Sequence, residues 1–229
     1  MPEVESKLYT LITVSGTERT DFLQGQLTQD VRQLPAAERL LAAWCTPKGR
    51  VIAVIRLLDL GDKIGMLVPA SLSEQILKRL MMYRLRADVQ FEVSDNWREL
   101  ATIDDTDPER LIRAGIPTVD ASNTELFTPH MLNLDKLGAI SFAKGCYTGQ
   151  EIVARTEHLG ASKRRLMRYE ADAAGIAVGA KLSDGERNVG DVVNVAGRQL
   201  LAVTPVELHR KTLLAGHMPI EPRELPYRI

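Results

Sequence analysis

The sequence predicts an α+β fold, with a ferredoxin-like N-terminal unit followed by a small C-terminal β-barrel or sandwich. Three observations predict it. Residues 9–93 alternate in the order strand, helix, hairpin, strand, helix, strand, which is a ferredoxin-like unit with one extra strand. Residues 166–215 hold short strand candidates separated by glycine-rich turns. Between them, from residue 95 to about residue 133, prolines and acidic residues are frequent, and only short helices fit, for example over 109–114. The chain therefore divides into 1–94, the α+β unit; 95–160, a connecting segment; and 161–229, the β-domain.

Each element has a local cause. Residues 9–14 are rich in β-branched side chains and stop at Ser15-Gly16. Ser15 and Glu18 have the spacing of a capping box, opening a helix through Phe22 and Leu23 towards Val31. Residues 40–45 and 51–58 flank Pro47-Lys48-Gly49 and read as a hairpin, and 64–68 read as the next strand. Over 71–83, Leu72, Ile76, Leu77 and Leu80 recur at the spacing of one helical face. Residues 89–93 alternate as a strand. The later strand candidates are 166–169, 181–182, 189–195, 200–206 and 213–215.

At 229 residues the chain can bury a sizeable core and form two compact domains. A net charge of −1 and a pI near 6.4 provide no global field towards nucleic acid or anionic membrane. Aromatic residues, at 5%, are too few for a base-stacking surface, so direct nucleic-acid binding is not expected. The first seven residues show no signal-peptide pattern, and no apolar run is long enough to cross a bilayer. Two cysteines without a dense framework fit a reducing compartment, so a cytoplasmic protein is expected. Two thiols also argue against a permanent iron–sulfur cluster or structural zinc within one chain. No His-x-x-x-His, Cys-x-x-Cys or phosphate-loop pattern occurs, so no metal site is expected.

The run Lys144-Gly145-Cys146-Tyr147-Thr148-Gly149-Gln150-Glu151 is the most informative stretch. Thr148 and Glu151 have capping-box spacing, and Ile152, Val153 and Ala154 continue as helix. The amides and positive dipole end of such a helix favour a thiolate at Cys146, and Lys144 adds positive charge. The same residues also describe a small buried cysteine beside a capped helix. Spacing alone leaves both readings open.

Residues 142–155, FAKGCYTGQEIVAR, resemble the signature of the YgfZ family. These are folate-binding relatives of the glycine-cleavage T-protein, implicated in making or repairing iron–sulfur proteins and in tRNA thiomethylation. Residues 22–31 resemble the family's first helix, and residues 41–50 its first hairpin. Ala114-Gly115-Ile116-Pro117 and residues 129–134 resemble the approach to the cysteine motif, and Leu225-Pro226-Tyr227 the C-terminal end. The matches fall in the family's order along most of the chain.

The resemblance implies a folate-binding accessory protein in iron–sulfur cluster assembly or repair, indirectly affecting tRNA modification. It implies tetrahydrofolate as cofactor and iron–sulfur client or assembly proteins as partners. Cys146 is then a redox or transfer thiol, with Gln24, Gln26, Lys144, Tyr147, Gln150 and Arg155 as folate-binding residues. Read without it, Gln24 and Gln26 are a solvated helix end, and Glu151 with Arg155 is an ion pair at helical spacing. The basic cluster Lys163-Arg164-Arg165 with Arg168 fits tRNA phosphates or a polyglutamate tail, or a strand edge protected by charge. His130 and His158 flank the motif as candidate bases for Cys146 or as surface or capping residues.

Two departures from the family pattern stand out. Larger members carry a second α+β module between the first unit and the cysteine motif. The path here from Val93 to Ala114 is too short to contain it, so this is a shortened member. Either the folate channel is open on one side, or a second copy covers that surface in a homodimer; a monomer in light scattering at high concentration counts against the dimer. The T-protein also has a catalytic aspartate shortly after its hairpin turn, where this chain has Ala53 and Val54. Neither side chain can orient an amine or stabilise positive charge. The rival readings are a folate-dependent aminomethyltransferase-like enzyme, disfavoured by that loss, and a non-catalytic scaffold that has lost folate binding.

Overall fold

Five strands build the N-terminal sheet: β1 (Tyr9–Ser15), β2 (Arg39–Cys45), β3 (Val51–Asp59), β4 (Ile64–Pro69) and β5 (Gln90–Ser94). Their order is β2-β3-β4-β1-β5, with every neighbouring pair antiparallel. Helices α1 (Arg19–Gln26) and α2 (Leu34–Ala37) lie between β1 and β2, and α3 (Ser73–Arg84) between β4 and β5. This is the expected ferredoxin-like unit, with β2 as the extra edge strand. The computed structural model describes residues 8–94, 96–100, 106–158, 160 and 162–229. Residues 1–7, read above for a targeting signal, and residue 95, the expected start of the connecting segment, lie outside the described residues.

Strand β3 is apolar at nearly every position because both faces of the sheet are covered. On one face Ile12, Val14, Leu23, Trp44, Ile55, Leu57, Ile76 and Leu80 close a core against α1 and α3. On the other, Ala43, Cys45, Val51 and Val54 share a core with Leu132 and Leu134 of the connecting segment and with Leu166, Leu201 and Val203 of the β-domain. Burying each aliphatic side chain contributes about 1.5–3 kcal/mol, so this shared core fixes the β-domain against the sheet.

The capping box expected at Ser15 and Glu18 does not form. Ser15 pairs with Gln90 in the sheet, and Glu18 reaches across instead to accept from the Asp88 amide at 2.7 Å. Helix α1 also stops at Gln26 rather than running to Val31, because Leu27 bridges to Trp44 of β2. Asp30 then caps a one-turn 3-10 helix, Val31–Gln33, by accepting from the Arg32 amide.

In the connecting segment, α4 (Pro108–Ala114) carries its start and stop signals in sequence. Asp107 accepts from the Arg110 amide at 2.8 Å, Pro108 opens the first turn, and Gly115 ends the helix in the left-handed conformation. Loops lead from there to α5 (Gln150–His158). The β-domain is a closed barrel of β6 (Arg164–Ala171), β7 (Lys181–Ser183), β8 (Asn188–Ala196), β9 (Gln199–Pro205), β10 (Leu213–Ala215) and β11 (Met218–Arg223). Its order is β10-β11-β6-β9-β8-β7, with β7 pairing back to β10. Strand β11 escapes sequence reading because Pro219 and Pro222 each remove a ladder donor. Closing the barrel and burying Ile220 offset that loss.

Three separated stretches meet at one joint. The Tyr227 hydroxyl donates to the Gly115 carbonyl at 2.7 Å and lies 3.3 Å from Asn133 Nδ2, which also donates to the Leu166 carbonyl. The C-terminal tail thus pins the connecting segment to the barrel. No helix among the described residues is long and apolar enough to cross a membrane.

Candidate functional site

The cysteine motif is a clamp between α1 and the β2–β3 hairpin. Lys144 is buried, and its ammonium donates to the carbonyls of Gln24 at 2.7 Å, Leu27 at 2.7 Å and Gln29 at 2.9 Å. All three ammonium protons are thereby engaged at the C-terminal end of α1, where carbonyls lack helical partners. Burial pushes the ammonium down to about 8. At the other end of the motif the loop lies on the hairpin turn. A Cβ on Gly149, whose φ is +85°, would meet the Thr46 carbonyl oxygen at 2.5 Å, and one on Gly49, at φ +69°, would meet Ile152 Cβ at 2.8 Å. Both glycines are required, by conformation and by contact.

Between these anchors Tyr147 turns inward, 7% exposed, its ring 5.2 Å from the Lys144 ammonium. Burial drives its phenol pKa up. Cys146, next to it, is free and exposed, whereas Cys45 is free and buried, its thiol pushed up to about 12 by burial. The two cysteines therefore differ sharply in access. Of the two readings open in the sequence, the buried one fails for Cys146.

Several expected ligand residues have other tasks in the fold. Gln24 uses both ends of its amide, donating to Asp30 Oδ1 and accepting from the Val31 amide, each at 2.8 Å. Lys144 is spent on α1, as described. Arg155 pairs with Glu151 at 3.0 Å on the solvent side of α5, so Glu151 does not serve the capping box with Thr148. Gln150 is half-buried at the first residue of α5. Gln26 is the exception, because its Oε1 is buried without a partner.

His130 and the three arginines of the basic cluster are also committed. His130 is buried, with Nε2 3.0 Å from Glu157 Oε2, and its carbonyl accepts from Arg165. Arg165 is itself buried and bonds Asp135 Oδ1 at 2.6 Å. His130, Asp135 and Glu157 bring ligand-type atoms within 4.8 Å of one another. With Arg165 on one Asp135 oxygen and Lys136 3.6 Å from the other, two cations already balance that charge. Arg164 pairs with Asp191, and Arg168 bonds Gln199, so these strand residues are not a free phosphate-binding row. His158 lies exposed at the end of α5.

A cavity of about 290 Å³ lies where the start of β1, the end of β4, α4 and β8 meet. Leu8, Pro69, Leu111, Ile116 and Val195 give it apolar walls, while Tyr9, Thr118, Asp120 and Asn194 contribute polar groups. Asn194 holds Thr118 with both ends of its amide, accepting from its N–H at 2.9 Å and donating to its carbonyl at 2.8 Å. The Tyr9 and Thr118 hydroxyls lie 3.2 Å apart. Apolar walls with a few fixed polar groups are the usual form of a small-molecule site.

None of the ligand residues expected from the sequence lines this cavity. The motif docks beside β2, whereas the cavity opens beside β1, three strand spacings or roughly 14 Å away across the sheet. Sequence reasoning missed the lining because Tyr9, Thr118 and Asn194 come from three distant segments. One signal was available: Arg56 is a lone cation in an otherwise apolar stretch of β3. Ala53 and Val54 are fully buried, one in each core, so the strand supplies no carboxylate at those positions.

No family model matches the chain. The chain is similar to the tRNA-modifying protein YgfZ of Escherichia coli, 29% identical over 254 positions that cover 81% of this chain and 78% of that protein. It is also 29% identical to the tRNA-modifying protein YgfZ of Klebsiella pneumoniae over 300 positions, covering 96% of this chain and 91% of the relative. An alignment of 300 positions on a 229-residue chain leaves stretches of that relative without a counterpart here. Among solved structures, the glycine cleavage system aminomethyltransferase T of Bartonella henselae superimposes with a TM-score of 0.71 at 12% identity, over 96% of this chain and 84% of that one. The resemblance carried by the cysteine motif is borne out across the molecule: the chain is a shorter relative of the YgfZ proteins, on the fold of the glycine-cleavage T-protein.

Proposed function

We propose that the protein is a folate-binding, YgfZ-like accessory factor in tRNA modification, acting by supporting the assembly or repair of iron–sulfur proteins. The observation that carries the proposal is the pairing of a cavity at the sheet–barrel junction with an exposed thiol on a loop anchored at both ends. At about 290 Å³ the cavity holds one end of a tetrahydrofolate, with the rest extending through its opening. The hydroxyls of Tyr9 and Thr118 and the Asp120 carboxylate supply donors and acceptors for its polar groups. Asp120 Oδ1 already accepts from the Ser122 amide and hydroxyl, which holds the carboxylate in place.

Cys146 would act on a different substrate surface. It stands among exposed Phe142, Ala143 and Gly145, a small apolar patch suited to a protein client. The thiol and the folate cavity thus serve one protein without sharing one pocket. Expression of Cys146→Ala in cells lacking their own YgfZ, with thiomethylated tRNA and iron–sulfur enzyme activity as readouts, tests this role. The variant is expected to lose most of the rescue that the wild type provides; full rescue would remove Cys146 from the function. Aminomethyl transfer lacks support from β3, where no carboxylate replaces Ala53 or Val54.

A further inference from the structure

We infer that Arg56 receives an anionic group, a carboxylate of the ligand that occupies the neighbouring cavity. Arg56 stands in the middle of β3, opposite Leu41 on one side and Leu67 on the other. It is 6% exposed, and its Nη2 is buried without a partner. Among the described residues no carboxylate or carbonyl bonds it, and its polar neighbour is the Tyr9 ring face, 5.4 Å from the guanidinium carbon.

A guanidinium cannot shed its proton, so burial without a counter-charge is a standing cost that a ring face offsets only in part. The other buried arginine among the described residues meets that cost in full: Arg165 bonds Asp135 at 2.6 Å and the His130 carbonyl at 3.0 Å. Arg56 has no such partner among the described residues. Tyr9 connects it to the cavity, because the ring that the guanidinium faces belongs to a residue of the cavity wall. The planar fork of arginine fits a carboxylate in two parallel hydrogen bonds. The identity of the anion rests on the folate reading: tetrahydrofolate ends in a glutamate with two carboxylates. The unpaired cation itself does not rest on it.

Two measurements on the wild type, Arg56→Met and Arg56→Lys test the inference. The first is titration with tetrahydrofolate and with its uncharged dimethyl ester. The second is thermal unfolding in sodium sulfate against sodium chloride at matched ionic strength. Wild type is expected to prefer tetrahydrofolate to the ester by about tenfold or more, the size of one charge-assisted hydrogen bond. Arg56→Met is expected to lose that preference, with Arg56→Lys between them, and to keep or raise the Tm without ligand. Sulfate is expected to protect the wild type but not Arg56→Met. An unchanged preference in Arg56→Met, or equal sulfate protection of both, overturns the inference while leaving folate binding intact. Sulfate protection confined to the wild type, with no tetrahydrofolate binding, supports the anion site and removes the folate reading.

Discussion

At the scale of single residues, the two cysteines show how one side-chain type takes opposite roles. Cys45 lies in the core shared by sheet and barrel, where burial raises its pKa to about 12 and leaves almost no thiolate at neutral pH. Cys146 is exposed on a loop held by Lys144 and Gly149. A thiol reagent such as dithiobis-nitrobenzoate at pH 8 is therefore expected to modify one thiol rapidly in the native protein and two in urea. Mass spectrometry should place the fast label on Cys146. Two fast thiols in the native state would contradict the burial of Cys45. The position of Cys146 before a helix was legible in the sequence, but its exposure was not, because the spacing fits a packed residue equally well.

At the scale of elements, the motif is long because it docks at two places. Its first half ties off the carbonyl end of α1, and its second half lies against the hairpin through Gly49 and Gly149. Gly149→Ala forces a left-handed residue to carry a Cβ 2.5 Å from the Thr46 oxygen. The substitution is expected to lower stability by about 2–4 kcal/mol, combining backbone strain with overpacking. Urea unfolding measures this, and a loss below about 0.5 kcal/mol, the ordinary effect of a surface change, would show that the loop is not locked on the hairpin. Strand and helix order was legible because β3 and β4 are nearly continuous apolar runs bounded by turn residues, while α3 carries one apolar face. The capping box at Ser15 failed because tertiary pairing claimed both of its members, and β11 was hidden by its prolines.

At the scale of the whole molecule, the chain reads as a sheet and a barrel joined across the connecting segment. The stretches that resemble the YgfZ family in sequence are the stretches that meet in space: α1 with Lys144, the hairpin with Gly149, and Gly115 and Asn133 with Tyr227. Those joints explain why the resemblance was legible in so short a chain. The cavity was not legible, because its polar groups reach it from β1, the loop after α4 and β8. Residues expected from the family resemblance, such as Gln24 and Arg155, instead serve local structure.

The most direct test is isothermal titration of tetrahydrofolate into the wild-type protein and into Val195→Trp. Val195 lines the cavity from β8, and an indole there fills it while circular dichroism reports whether the barrel is intact. Saturable binding to the wild type, lost in a folded Val195→Trp, is the predicted result. Unchanged binding in the filled variant, or no binding to a folded wild type, would contradict a folate site at the sheet–barrel junction.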